Sequence, residues 1–323
     1  MRLRLFLSLL AIVIPAFADS PVGFSSQVDA SDERRPIELS IWYPSADGPS
    51  SIFGGNAVFE GVYASPNASV KEGEFPLVVV SHGGLRSSKN SGAWLGAGLA
   101  RAGFVAVEVN APRPASAAMA VNEIWQRPRD MNRTIDLMLG DQRWAEHVDH
   151  GRIFVVGFAL GGTAALAVSG AEIDVERYLQ ACAADGIEAP DCEWYKAHNI
   201  ALDQADPGEL GQSRQDRRVK AAVAIDPEYL AAFSDGGMAS AAPMLLMSLG
   251  GQERQMAEPP QVERLTIQEA DRFDAFATCT ESGPQILREE RGDVALCGAS
   301  PEARERHHAR MVSAILAFVA NYP

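Results

Sequence analysis

The sequence predicts an α/β protein built on an open, doubly wound, mostly parallel sheet of about eight strands. Short apolar runs alternate with helix-like stretches along nearly the whole chain. These runs are continuous rather than alternating, as strands covered on both faces require. One of them, Ile153 to Val156, passes through Gly157 into a small-residue helical stretch that begins near Gly161. The 323 residues, 47% hydrophobic and 22% charged, suffice for one large domain with a sizeable core.

Residues 1–18 stand apart from that domain. Arg2 and Arg4 open a basic start, Leu5 to Pro15 are apolar, and Ala16-Phe17-Ala18 is a small-x-small cleavage pattern. This is the signature of an export signal, and the apolar run is too short for a membrane anchor. The expectation is therefore an exported chain, periplasmic or secreted, whose mature domain spans 19–323.

Within the domain, residues 22–46 carry strand-like pieces, notably Ile37 to Tyr43, which ends at Pro44, and a Gly/Ser/Asn-rich connection follows. Phe75 to Val80 reads as a buried strand running into Ser81-His82-Gly83-Gly84. A helix around 91–102 and a strand over Phe104–Val109 complete a β-loop-α-β unit, which implies a parallel pair with right-handed crossover. Arg129–Leu139 suggests another helix. Residues 172–216 break the rhythm: they are polar, hold Tyr178, Trp194 and Tyr195, and read as a cap inserted over the C-terminal edge of the sheet. Strands are expected again over Val219–Ile225, Pro243–Ser248 and Val262–Ile267, with an amphipathic helix from Pro301 to Ala320 closing the chain.

The net charge of −14 argues against nucleic acid and anionic membrane surfaces as partners. In an exported chain the four cysteines suggest disulfides. They allow three connectivities. Pairing of neighbours, Cys182 with Cys192 and Cys279 with Cys297, would staple two short loops, with buried free thiols as the alternative. No Cys-x-x-Cys or His/Cys cluster supports a metal site, and no cofactor is implied.

Residues 157–161, Gly-Phe-Ala-Leu-Gly, match the strand–turn–helix setting of the Gly-x-Ser-x-Gly nucleophile elbow, with Ala159 at the centre. A methyl group cannot attack a carbonyl. Around this motif stand Ile41-Trp42-Tyr43-Pro44, Pro76 through Gly83, Arg127-Pro128-Arg129-Asp130, Arg218 through Asp226, and Glu269 through Cys279. Together, and in this order, they resemble the α/β-hydrolase superfamily, in particular the predicted dienelactone hydrolases and the platelet-activating-factor acetylhydrolase-like esterases.

That resemblance implies an α/β-hydrolase fold and a carboxylic-ester hydrolase ancestry. It places the nucleophile position on Ala159, the orienting acid on Asp226, and the oxyanion-hole N–H donors on Gly84 and Leu160. The family's histidine position falls on Arg272, within Ala270-Asp271-Arg272-Phe273. A guanidinium stays protonated and cannot serve as the base a serine hydrolase needs. The expectation is a pseudoenzyme that binds a small carboxylate or ester-like ligand, with Arg272 paired to Asp226 where the His–Asp contact would lie.

Other readings of the same residues stand beside this one. Asp226 also suits a helix N-cap after a strand. His82 suits a loop-structuring role. His147, His150, His307 and His308 read as surface residues, and His198 lies in the expected cap. Ser81, Ser169 and Ser248 have no elbow. Two other functions compete: an active ester or lactone hydrolase with a non-standard site, and a structural domain whose pocket has collapsed around Ala159. The first needs a second nucleophile–base pair, and the sequence offers none.

Overall fold

The computed structural model describes residues 21–48, 51–85, 87–182, 191–251 and 261–323. The export signature at 1–18 lies outside them. Ten strands form one sheet: β1 (Val22–Asp29), β2 (Ile37–Pro44), β3 (Ser51–Phe53), β4 (Val62–Pro66), β5 (Phe75–His82), β6 (Val105–Asn110), β7 (Val148–Phe158), β8 (Val219–Ile225), β9 (Met244–Leu249) and β10 (Val262–Ile267). Their order is β10-β9-β8-β7-β5-β6-β2-β1-β4-β3. From β10 to β6 every neighbouring pair is parallel. β2 runs antiparallel to β6 and β1.

The two strands beyond the expected eight are β3 and β4, within the stretch read as a connection. They span three and five residues, of which only Ala64 and Ser65 are buried. Segments that short and that open carry too little apolar pattern to be read as strands.

The alternation of side chains along a strand divides the core into two layers. On β5, Val78 and Val80 face the helices Ala93–Arg101 and Pro301–Val319. Leu77 and Val79 face Glu123–Gly140 and Leu160–Ser169. All ten residues of Leu160–Ser169 are buried. That explains its Gly/Ala-rich sequence: it is wedged between the sheet and the Glu123–Gly140 helix, where larger side chains would not fit.

A third apolar cluster joins Tyr178, Ala181, Tyr195, Leu202, Ala205 and Leu210, all from 172–216, to Leu160 and Tyr229. The segment therefore packs against the start of the Leu160 helix. Two disulfides join sequence neighbours: Cys182–Cys192 with Cα atoms 5.2 Å apart and Cys279–Cys297 at 5.3 Å.

The strand order sets the position of the site. From β5 the chain moves outward to β6, then returns to place β7 on the other side of β5. Helices leaving opposite faces open a crevice at the carboxyl ends of β5 and β7, where open α/β sheets bind ligands. His82-Gly83-Gly84 follows β5 and Ala159 follows β7, so both lie at this switch point.

Candidate functional site

Ala159 sits between β7 and the Leu160–Ser169 helix with φ 55° and ψ −124°. Positive φ strains a residue with a Cβ by about 1–3 kcal/mol. The strained apex persists although Ala159 carries no reactive atom. The flanking glycines are required by close backbone approach. A Cβ on Gly157 would lie 1.9 Å from the Gly161 carbonyl oxygen, and one on Gly161 would lie 1.9 Å from that of Ser81. Gly161→Ala should cost about 3 kcal/mol, the upper part of the usual overpacking range. Urea unfolding would measure it, and a loss below about 1 kcal/mol would show that β5 and the turn can separate.

The Gly83–Gly84 loop is fastened from both sides. The Gly83 N–H donates to the Phe158 carbonyl at 3.1 Å, and the Gly161 N–H donates to the Gly83 carbonyl at 3.3 Å. The buried Arg127 donates to the carbonyls of Gly83 (2.7 Å) and Gly84 (2.8 Å). Among the described residues the Gly84 N–H has no acceptor, and Leu160 opens its helix, where N–H groups lack intrahelical partners. The two N–H groups expected to serve as oxyanion donors thus have no acceptor among the described residues.

Behind Arg127 lies a charge network that accounts for the Arg-Pro-Arg-Asp motif. Glu123 contacts Arg127 at 3.4 Å and Arg35 at 2.7 Å. Arg35 also reaches Asp130 at 2.8 Å. Arg129 pairs with Asp32 at 2.9 Å. These residues brace the loop that carries Gly84.

Glu228 has no counterpart in the sequence reading. It is 6% exposed, and a Cβ on Gly84 would lie 3.2 Å from its Oε1. Its N–H donates to the Ala159 carbonyl at 3.2 Å, and the Thr163 hydroxyl donates to its carbonyl. The Glu228 carboxylate therefore packs against the Gly83–Gly84 loop. Tyr178, Tyr195 and Tyr229 gather beside it. Burial is the main cause that raises all three phenols, with Glu228 adding to it.

Asp226 lies at the end of β8, half-buried, with φ 39°. Its Oδ1 accepts the Leu249 N–H at 3.1 Å, so it ties the ends of β8 and β9 rather than capping a helix. The expected Arg272–Asp226 ion pair does not form. Arg272 is exposed and its guanidinium stands 5.5 Å from the centre of the Phe273 ring. The reason is the short turn Arg272–Ala275, closed by a reciprocal capping box between Asp271 and Asp274. That turn sends Asp274 inward, to Arg304 at 3.4 Å and His307 Nδ1 at 2.8 Å, and leaves Arg272 outside.

The histidines also depart from expectation. His308 is buried and stacks on Trp94 with ring centroids 3.8 Å apart. His307 is half-buried against Asp274. Both belong to one end of the closing helix, where the charged pattern of the sequence hid a contact made with a distant loop. His198 is exposed, its Nδ1 2.8 Å from the Trp194 carbonyl, and offers no base to the elbow. Among the described residues no group of histidine, cysteine and carboxylate side chains is arranged to hold a metal ion.

The chain is similar in structure to a ferulic acid esterase from Streptomyces cinnamoneus, with TM-score 0.60 and 18% identity over 96% of this chain and 92% of that one. The chain has the α/β-hydrolase fold. A second solved structure, described as a "putative carboxylesterase" from Lactobacillus plantarum WCFS1, aligns with TM-score 0.42 and 15% identity over 93% of this chain and 98% of that one. No protein-family model and no curated protein sequence matches the chain. The turn after β7 keeps its strained strand–turn–helix geometry, with Ala159 and no hydroxyl at its apex.

Proposed function

We propose that this chain is an exported α/β-hydrolase-fold protein that holds a small, uncharged ester-like ligand at its elbow and does not cleave it there. The observation that carries the reading is Ala159 at the strained apex, with no nucleophile at the position the fold reserves for one. Gly84 and Leu160 supply donors for a ligand carbonyl. Arg272 points away, so the anion-binding version of this reading loses its cation. The 172–216 segment serves as the cap over the ligand, through its packing on Leu160 and Tyr229. Export rests on the 1–18 signature and is supported by the two disulfides.

The mature chain should turn over p-nitrophenyl butyrate with kcat/KM at least a hundredfold below the roughly 10⁴ M⁻¹s⁻¹ that marks the low end of ordinary enzymes. Ethyl butyrate should raise its melting temperature saturably and be recovered intact. Ala159→Phe, which fills the apex, should abolish that shift. Turnover in the ordinary enzyme range, or an ester that leaves the melting temperature unchanged, would overturn the proposal.

A further inference from the structure

A serine–histidine contact lies beside the Gly83 loop, away from Ala159. His82, fully buried at the end of β5, has Nε2 2.8 Å from the Ala275 carbonyl and Nδ1 3.1 Å from Ser91 Oγ. A carbonyl only accepts, so the ring proton is on Nε2 and Nδ1 presents its lone pair to the Ser91 hydroxyl. The Ala275 carbonyl also accepts from Trp94 Nε1 at 3.0 Å, which holds the group that orients the ring. Nucleophile, base and orienting acceptor are all in place.

Ser91 and His82 both line a cavity of about 220 Å³ at the carboxyl ends of β5 and β6. Arg113 lines it as well, exposed and without an ion pair among the described residues. So does Glu108, 2% exposed, whose Oε1 accepts the Gly92 N–H at 2.7 Å and whose Oε2 has no partner.

From this geometry we infer that Ser91 is a slow acyl-accepting nucleophile toward small activated esters, with His82 as its base. Ser91 Oγ bonds to the acyl carbon while its proton passes to Nδ1. The bond to the leaving alcohol breaks with its electron pair, and the proton on Nδ1 passes to the departing oxygen. Water, deprotonated by the same nitrogen, then releases the acid and restores the serine. Arg113, which lines the same cavity, is the cation available to the developing oxyanion. This inference does not depend on the elbow reading.

Desolvation sets the base strength, pushing His82 down to about 4. The charged or titratable groups around the ring are Arg127, which lowers it further, His308 on the closing helix, and Glu108 across Gly92. A weak base that is free at all pH above about 4 makes the reaction slow and flat with pH.

The test uses a fluorophosphonate, from which Ser91 Oγ displaces fluoride, with the adduct located by peptide mass spectrometry on the mature chain. A single adduct on Ser91 is expected, lost in Ser91→Ala and formed at least a hundredfold more slowly in His82→Gln. In the unaltered chain its rate should vary less than threefold between pH 5 and 8. Absence of an adduct, an adduct on Ser87 or Ser88, or a rate rising tenfold per pH unit would overturn the inference, the last because hydroxide rather than His82 would be the base. Enzyme-like turnover of p-nitrophenyl butyrate that survives Ser91→Ala would instead defeat the elbow reading alone.

Discussion

Arg35→Met should destabilise the protein by about 3 kcal/mol, the low end of the cost of breaking a buried ion pair, because Asp130 keeps only the more distant Arg133 at 3.6 Å and Glu123 only Arg127 at 3.4 Å. Arg35 donates to Asp130 at 2.8 and 2.9 Å and to Glu123 and Gln126 at 2.7 Å. Asp130 is 0% and Glu123 1% exposed, so water cannot replace the lost cation. Burial already raises Asp130 above the ordinary carboxylate range, and Arg35 is the chief opposing influence. Glu123 is shared with Arg127, so the damage should extend to the Gly83–Gly84 loop. A urea midpoint shifted at unchanged slope would measure the loss. The network need not contribute much net stability, since three desolvated side chains offset their own attraction. Replacing Arg35 and Asp130 together by apolar residues, with Glu123 left to Arg127 and Arg133 left to Asp29, should therefore recover part of the loss. A single-variant loss below about 1 kcal/mol would mean that the carboxylates rehydrate or take up protons.

Acidification should unfold the protein through two buried histidines. Burial pushes His82 down to about 4 and His308 to about 3, from an ordinary value of 6.5. A depressed histidine contributes its full stability above 6.5 and loses it as pH falls, because only the unfolded chain takes up the proton. Glu108 acts in the opposite sense: burial raises it from 4.5 to about 7, so its contribution is full below 4.5 and fades as pH rises toward 7. Between pH 4.5 and 6.5 these groups give the unfolded chain two extra protons and the folded chain one. The net of one proton corresponds to a loss of about 1.4 kcal/mol per pH unit on acidification. Below 4.5 Glu108 is protonated in both states, and the loss steepens to about 2.7 kcal/mol per unit until His82 itself titrates. His308→Gln removes one of the two histidine protons and should leave stability nearly flat from 4.5 to 6.5. Urea midpoints at pH 5, 6 and 7 would show this. A variant retaining the full slope would place the proton uptake elsewhere.

Strand positions and the elbow were legible because they depend on local pattern. Four apolar residues before Gly157, and two glycines four apart, are demanded by backbone geometry within a few residues: the Gly161 site lies against Ser81 whatever else surrounds it. The absent hydroxyl of Ala159 needs no structure to be seen. Neighbouring cysteines paired because the intervening chain is short, which keeps their ends close. β3 and β4 escaped for the converse reason: they are short strands at one end of the sheet, and only two of their residues are buried.

Where a side chain points from a loop was decided by tertiary structure alone. Arg272 and Asp274 are two residues apart in one turn, and the capping box together with Arg304 and His307, about thirty residues further along, determines which of them enters the interior. Glu228 reaches Gly84, and His82 meets Ser91 and Ala275, only because the switch point gathers the ends of β5, β7 and β8. No periodicity records such meetings, since each is a contact between segments whose separation in sequence exceeds the reach of any local pattern. The absence of a hydroxyl at position 159 was therefore readable from the sequence by itself. The carboxylate of Glu228 beside Gly84 and the His82–Ser91 pair became visible only once the sheet had brought their segments together.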